Sequence, residues 1–295
     1  MRLVYLGLAE GGLALGAAGH RLAAVGLTRK DEASHDLRDA LAPGSAPVLH
    51  RPDLRSPELQ RVLASTGAPL LVCYLWDRIV PGDLLSRFRH GALSYHPSLL
   101  PRHRGADPYF WTLWSGDRVA GASVIVLDQG VDTGPVVAQR SVSVPPGVDG
   151  GGLAAVLDPI GLELLVEVLS SWDRGEPPHP APQPDEGASE APAPDDDMLE
   201  IRWAWPSERI VRLVRAAAPH PGAYSFVDDR LAVVLAARPT APPASGTLRP
   251  GDAVVTEAGL VVGTGDGQVV IEAIRLDDGP VLCGPGAIAD AVRPT

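Results

Sequence analysis

The run Pro69-Leu-Leu-Val-Cys-Tyr74 is apolar without interruption. A strand with one wet face alternates polar and apolar residues, so an unbroken run needs burial on both faces, as in a parallel sheet covered by helices. Leu3-Val4-Tyr5-Leu6, Arg21 to Leu27 and Ala92 to His96 are further strand candidates of this kind, and Val119 to Leu127 and Pro135 to Val144 follow. Between and after them, Pro57–Thr66 and Leu153–Trp172 carry apolar residues at helical spacing, the second running to a glycine stop at Arg174-Gly175. Strands alternating with helices predict an α/β fold with a doubly wound, mostly parallel sheet. Ligands of such sheets bind beyond the carboxyl ends of the strands, which is where the pattern puts His96 and Asp128.

Composition divides the rest of the chain. From Glu176 to Asp197 it shifts to Pro, Ala, Glu and Asp, a mixture that buries too little apolar surface to fold alone. Beyond it, Pro206 to Ala218 reads as a helix capped by Ser207. Short alternating runs follow at Leu231–Ala236, Ala253–Thr256, Gly259–Val262 and Gln268–Ile274, separated by Gly, Pro and Asp. That rhythm predicts a small antiparallel barrel. The expected organisation is a catalytic α/β domain over 1–175, an acidic Pro/Ala-rich linker over 176–199 and a C-terminal β-barrel domain over 200–295.

The 25 Lys and Arg against 36 Asp and Glu give a formal net charge of −11, and Lys30 is the single lysine. A general nucleic-acid binder needs cationic patches against phosphate, so this balance argues against one. Cys73 and Cys283 fall in different expected domains, which argues against a disulfide and fits a reducing cytoplasm. The apolar N-terminus resembles a signal peptide only superficially: Glu10 interrupts it, and a strand–helix–strand rhythm continues past it. No other segment reaches the roughly 18–20 apolar residues of a membrane span.

Two loops carry the chemistry: Ser94-Tyr-His-Pro-Ser-Leu-Leu-Pro-Arg-His-Arg-Gly105 and Asp128-Gln-Gly-Val-Asp-Thr-Gly-Pro135. Taken singly, a histidine at a strand end bonds backbone, and an aspartate beside glycine makes a turn. Together they resemble the paired signature of the folate-dependent formyltransferases, which include methionyl-tRNA formyltransferase, glycinamide ribonucleotide formyltransferase and the sugar N-formyltransferases. The segment Arg215-Ala-Ala-Ala-Pro-His-Pro-Gly-Ala-Tyr224 resembles the entry to the C-terminal barrel of that family's tRNA and nucleotide-sugar members. The resemblance therefore spans both domains and is weakest over residues 28–68.

The resemblance implies a catalytic trio of asparagine, histidine and aspartate, which map onto Ser94, His96 and Asp132. Ser94 departs from the family, and its hydroxyl is shorter in reach than an amide. Serving the oxyanion through water, leaving the task to another donor, and loss of formyl transfer all stay open on sequence alone. The same resemblance implies 10-formyltetrahydrofolate as donor substrate, in a pocket behind the loop of Leu75, Trp76 and Ile79 and the loop of Asp128, Gly130 and Val131. Trp76 stands where relatives have small residues, and could stack on a pterin or fill the pocket. Arg102 and Arg104 are candidates for holding an acceptor's phosphate or carboxylate. The linker is acidic at Asp185, Glu186, Glu190 and Asp195-Asp196-Asp197, so tRNA is disfavoured and a small-molecule amine is the expected acceptor. Two rival readings keep the fold: a hydrolase of a formyl or acyl substrate using the same His/Asp pair, and a non-catalytic protein.

Overall fold

The computed structural model describes residues 1–41, 44, 46–227, 229–241 and 248–292. In chain order the first elements are β1 (Arg2–Gly7), α1 (Ala9–Ala17), β2 (Arg21–Leu27), α2 (Glu32–Ala40), β3 (Val48–His50), α3 (Pro57–Ser65), β4 (Leu70–Tyr74), α4 (Gly82–Leu85), β5 (Ala92–His96) and α5 (Pro108–Trp114). Then come β6 (Val119–Val126), β7 (Val136–Ser143), α6 (Gly150–Asp173), α7 (Asp196–Leu199), α8 (Ser207–Ala217), β8 (Ala223–Val227), β9 (Arg230–Thr240), β10 (Ala253–Thr256), β11 (Gly259–Gly263), β12 (Gln268–Leu276), β13 (Val281–Cys283) and α9 (Pro285–Val292). The chain forms two compact units.

The first unit takes in Met1–Ala106, Val119–Val142 and Val156–Pro192. Its seven-stranded sheet has the order β3-β2-β1-β4-β5-β6-β7, parallel from β3 to β5, with β6 antiparallel to β5. The continuous apolar runs are explained by the two cores. Leu3, Tyr5, Val72, Tyr74, Leu93 and Tyr95 point to one face, under α1, α2 and the part of α6 from Val156 on. Val4, Leu6, Leu71, Cys73 and Ala92 point to the other, under α3 and α4. Strand period two sends neighbours to opposite faces, and both faces are covered. Cys73 lies fully inside the second core, where burial pushes its thiol up to about 12.

A tight side-chain fit lies where α6 crosses β5. A methyl group on Gly161 would sit 2.1 Å from the Tyr95 ring. That ring cannot swing aside, because it stacks on Tyr74 at 5.4 Å and its hydroxyl donates to Asp158 Oδ1 at 3.1 Å. Gly161→Ala is therefore expected to destabilise the protein by about 1–3 kcal/mol, the usual cost of overpacking. A lower urea midpoint with unchanged m-value would show it; an unshifted midpoint would mean the helix moves freely.

The second unit takes in Asp107–Arg118, Ser143–Ala155 and Ala193–Thr295. Its antiparallel sheet runs β10-β11-β12-β9-β8, with β13 also paired to β12. Helix α8 buries Ile210, Leu213, Val214 and Ala217, the one-sided stripe of an amphipathic helix. Contrary to the sequence expectation, Ser207 is not its cap: Pro206 is the N-cap, and the Ser207 amide is satisfied by Asp266 Oδ1 at 2.8 Å. That bond holds the Asp266 carboxyl below its usual range. Arg209 lies over the rings of Trp114 and Trp205, at 5.1 and 4.1 Å, and ties α5 to α8. The Arg215–Tyr224 motif is the turn from α8 into β8, where Arg215 Nε donates to the Val148 carbonyl at 2.7 Å. Among the described residues no helix is long and apolar enough to cross a membrane.

Candidate active site

Ser94 and His96 are two residues apart on β5 and so share one face of the strand, opposite Tyr95. His96 is 5% exposed. Its Nε2 lies 2.8 Å from the His103 carbonyl, which can only accept, so the neutral ring carries its proton on Nε2. The lone pair of Nδ1 then faces Asp132 Oδ2 at 3.4 Å. The same carboxylate oxygen accepts from the Gly105 amide at 3.0 Å. A proton arriving at Nδ1 would form an imidazolium against a carboxylate already held in place, the arrangement a general base needs. Among the described residues the Ser94 hydroxyl makes one long bond, 3.4 Å, to the Tyr95 carbonyl.

Loop geometry brings these groups together. Ser98 donates to the Arg102 carbonyl at 2.6 Å, and the Leu100 amide donates to Ser123 Oγ at 3.2 Å. Gln139 Nε2 closes the same loop on the Leu100 carbonyl at 2.8 Å. Ser98, Ser123 and Gln139 thus hold the turn that carries His103 and Gly105 back over His96. The Asp128 loop starts elsewhere. Because β6 is antiparallel to β5, the Leu127 amide bonds the carbonyl of Ala92, the first residue of β5, at 2.8 Å. Asp128 follows the carboxyl end of β6, as the alternation suggested, but the antiparallel pairing sets it beside the amino end of β5, away from the end that carries His96. The loop returns along the strand to deliver Asp132 to His96. Asp128 Oδ1 accepts from the Gly130 amide at 2.9 Å and from Thr133 Oγ1 at 2.8 Å, folding that return. Gly134 completes it, since a Cβ there would lie 1.7 Å from the Val126 carbonyl oxygen.

The acidic Pro/Ala-rich stretch between Glu176 and Pro192 lies along the first unit rather than running free. Ala181 exchanges backbone bonds with Val136 at 2.8 Å, Arg104 donates to the Ser189 carbonyl at 2.8 Å, and the Ala191 amide donates to the Arg104 carbonyl at 2.6 Å. Ser189 Oγ accepts from the His103 amide at 2.9 Å. A segment unable to make its own core is ordered here by pairing with backbone that the motif loops leave open. Between this strap and the loops lies a cavity of about 690 Å³, lined by Arg104, Gly105, Val131, Thr133, Ser189 and Glu190 among others.

The structure thus gathers Ser94, His96 and Asp132, and sets Arg104 and Val131 in the adjoining cavity wall. Arg102 is exposed on the same loop but outside that wall. Asp128 and Gly130 are exposed members of the loop, and Ile79 is 64% exposed on the loop after β4. Leu75 has a left-handed backbone (φ 52°) and packs on the core of α1 and α6. Trp76 packs against the opposite core, with the Arg78 guanidinium 4.4 Å above its ring, so one face of the indole is already covered. Gln183, Ser189, Thr133 and the Gly105 amide escape sequence reasoning as site groups. Thr133, inside the quoted Asp-Thr-Gly, and Gly105, which ends the quoted Ser94–Gly105 loop, carry a signal; Gln183 and Ser189 carry none.

Residues 20–169 match the profile of the Formyl transferase family, and residues 195–286 match that of its C-terminal domain. The chain belongs to this family. It is 33% identical to methionyl-tRNA formyltransferase of Roseobacter denitrificans, over 98% of this chain and 89% of that protein. It is 32% identical to mouse mitochondrial 10-formyltetrahydrofolate dehydrogenase over 90% of its length, but spans only 30% of that much longer protein. HypX from Aquifex aeolicus, solved in complex with tetrahydrofolic acid, superposes with a TM-score of 0.69 at 20% identity, over 97% of this chain and 46% of that one. The N-formyltransferase of Helicobacter canadensis, solved with folinic acid and dTDP-3-aminofucose, gives 0.65 at 14% identity, over 91% and 98%. In this member of the family His96 and Asp132 lie 3.4 Å apart, with Ser94 two residues before the histidine.

Proposed function

We propose that the protein transfers a formyl group from 10-formyltetrahydrofolate to the primary amine of a small molecule. The His96–Asp132 contact beside the cavity carries this reading. The amine attacks the formyl carbon and gives its proton to His96 Nδ1, and Asp132 stabilises the resulting charge. Ser94 donates to the oxyanion, directly or through one water. Collapse breaks the C–N10 bond as the imidazolium returns its proton to N10, so formamide and tetrahydrofolate leave in balance. The apolar loop of Leu75, Trp76 and Ile79 and the Asp128–Val131 return are the walls assigned to the donor, a substrate the neighbours' bound folates support.

The acceptor follows from size and charge. A cavity of about 690 Å³ fits a drug-sized molecule. It offers Arg104 to an acceptor's phosphate or carboxylate, and Glu190 to an ammonium. An amino sugar on a nucleotide or an amino-acid-derived amine meets both requirements. The relatives named methionyl-tRNA formyltransferase make charged initiator tRNA the rival acceptor. With a net charge of −11 and an acidic strap, binding of initiator tRNA is expected to be weaker than about 10⁻⁶ M at physiological salt, the range of non-specific contacts. A tight complex in a gel shift that dissolves with salt would reverse the assignment. The deciding assay incubates the protein with 10-formyltetrahydrofolate and a panel of amino sugars and amino acids, with mass detection. A formylated amine supports the proposal; free formate alone indicates a hydrolase, and no binding of the folate by calorimetry removes transfer altogether.

A further inference from the structure

We infer that Gln183, in the Pro-rich strap, is the positioning residue that sets the Asp132 carboxylate against His96. This rests on the formyl-transfer reading for its kinetic consequence, though not for its geometry. Gln183 Nε2 donates to the Asp132 carbonyl and to the Gly134 carbonyl, both at 2.7 Å. Its Oε1 accepts from Arg104 Nε at 2.9 Å. The amide has one possible orientation, because carbonyls only accept and a guanidinium only donates.

What the clamp holds is a backbone that does not hold itself. Asp132 sits at φ +53°, the left-handed region that costs a side-chain-bearing residue free energy and persists only where surroundings over-determine it. The local bonds of the loop run from Asp128 to Gly130 and to Thr133, and so pass over Asp132. Gln183 bridges that gap. It fixes the peptide that follows Asp132 and the one that follows Gly134, and through Arg104 it ties both to the segment whose Gly105 amide meets the carboxylate. One side chain therefore sets both the Asp132 backbone and the Gly105 amide that steadies its carboxylate against His96. Gln183 does not touch the reacting atoms; it acts through Asp132.

Two variants separate this role from simple support of the strap. Gln183→Leu removes both ends of the clamp. Gln183→Glu keeps the size and the Arg104 partner but turns a carboxylate onto two carbonyls. Both are expected to lower kcat by about 10–10²-fold, the cost of a misplacement on the order of 1 Å, with KM for donor and acceptor nearly unchanged. On an Asp132→Asn background the same changes should cost nothing further, since the coupling runs through the carboxylate. A raised KM with kcat intact, or full additivity with Asp132→Asn, overturns the inference. The Gly105 amide proton gives a reading that needs no activity: in both Gln183 variants its resonance should move, and its exchange quicken, as is expected for Asp132→Ala, which removes its acceptor. An unmoved Gly105 amide rejects the inference whatever the enzyme makes. A wild type that forms no formylamide, with the amide still responding, rejects the proposed function alone.

Discussion

His96→Ala is expected to lower the rate of formyl transfer by about 10²–10⁴, the worth of a positioned general base. The imidazole makes two contacts: Nε2 donates to the His103 carbonyl at 2.8 Å, and Nδ1 faces Asp132 Oδ2 at 3.4 Å, ready for the proton it would accept. Alanine removes both and leaves the His103 carbonyl without its ring partner, so a loss of about 1–3 kcal/mol in stability comes with it. Activity must therefore be compared below the unfolding midpoint of each variant. Asp132→Asn is the isosteric partner test, since its amide oxygen still accepts from Gly105 while the charge that stabilises an imidazolium is gone. A fall of similar order in kcat/KM, with the circular dichroism of the wild type, supports the pair as one proton-handling unit. If His96→Ala keeps its rate within a few-fold, the buried histidine is structural and formyl transfer proceeds on other groups.

The strands are legible because burial on both faces leaves a signature in composition. Leu70 to Tyr74 is apolar throughout, and β4 is fully enclosed by the two cores. What the pattern does not convey is direction. A buried antiparallel strand such as β6 reads like a parallel one, and that single reversal moves Asp128 to the amino end of β5. Helix α2 leaves no such signature because its start rests on the Asp31–Ser34 capping box, a local device inside a charged segment that buries Leu37 as its one large apolar side chain. The strap reads as a linker for a sound reason, that it has no core of its own. Its order comes from partners far away in sequence: Ser189 lies 86 residues from His103, and Gln183 lies 51 from Asp132. Such hydrogen bonds leave no periodicity. The pair His96 and Asp132 is visible only because two loops are recognised together; each residue alone has an ordinary structural explanation.

The largest expected gain in rate belongs to Ser94→Asn. A serine hydroxyl on the His96 face of β5 ends nearer the strand than a carboxamide would, and its bond to the Tyr95 carbonyl, at 3.4 Å, is too long to fix it firmly. If the oxyanion lies where an amide would meet it, serine works through a water, and direct donation from the introduced carboxamide should raise kcat by up to about 10²–10³, the worth of one such donor. Donor binding should change little, because the gain appears only as charge develops on the formyl oxygen. The opposite outcome has a structural source as well. The carboxamide is larger, the neighbouring Ala92 is buried, and the space beside His96 is already filled by the His103 turn and Asp132. An acceptor that approaches through that space would be crowded, and its KM would rise while transfer to smaller amines quickens. Measuring kcat and KM for both proteins across amines of graded size separates the two. A rise in kcat for every amine assigns Ser94 to the oxyanion, and a rise confined to the smallest assigns it to acceptor selection. No change for any amine would remove Ser94 from the site and leave the oxyanion to a different donor.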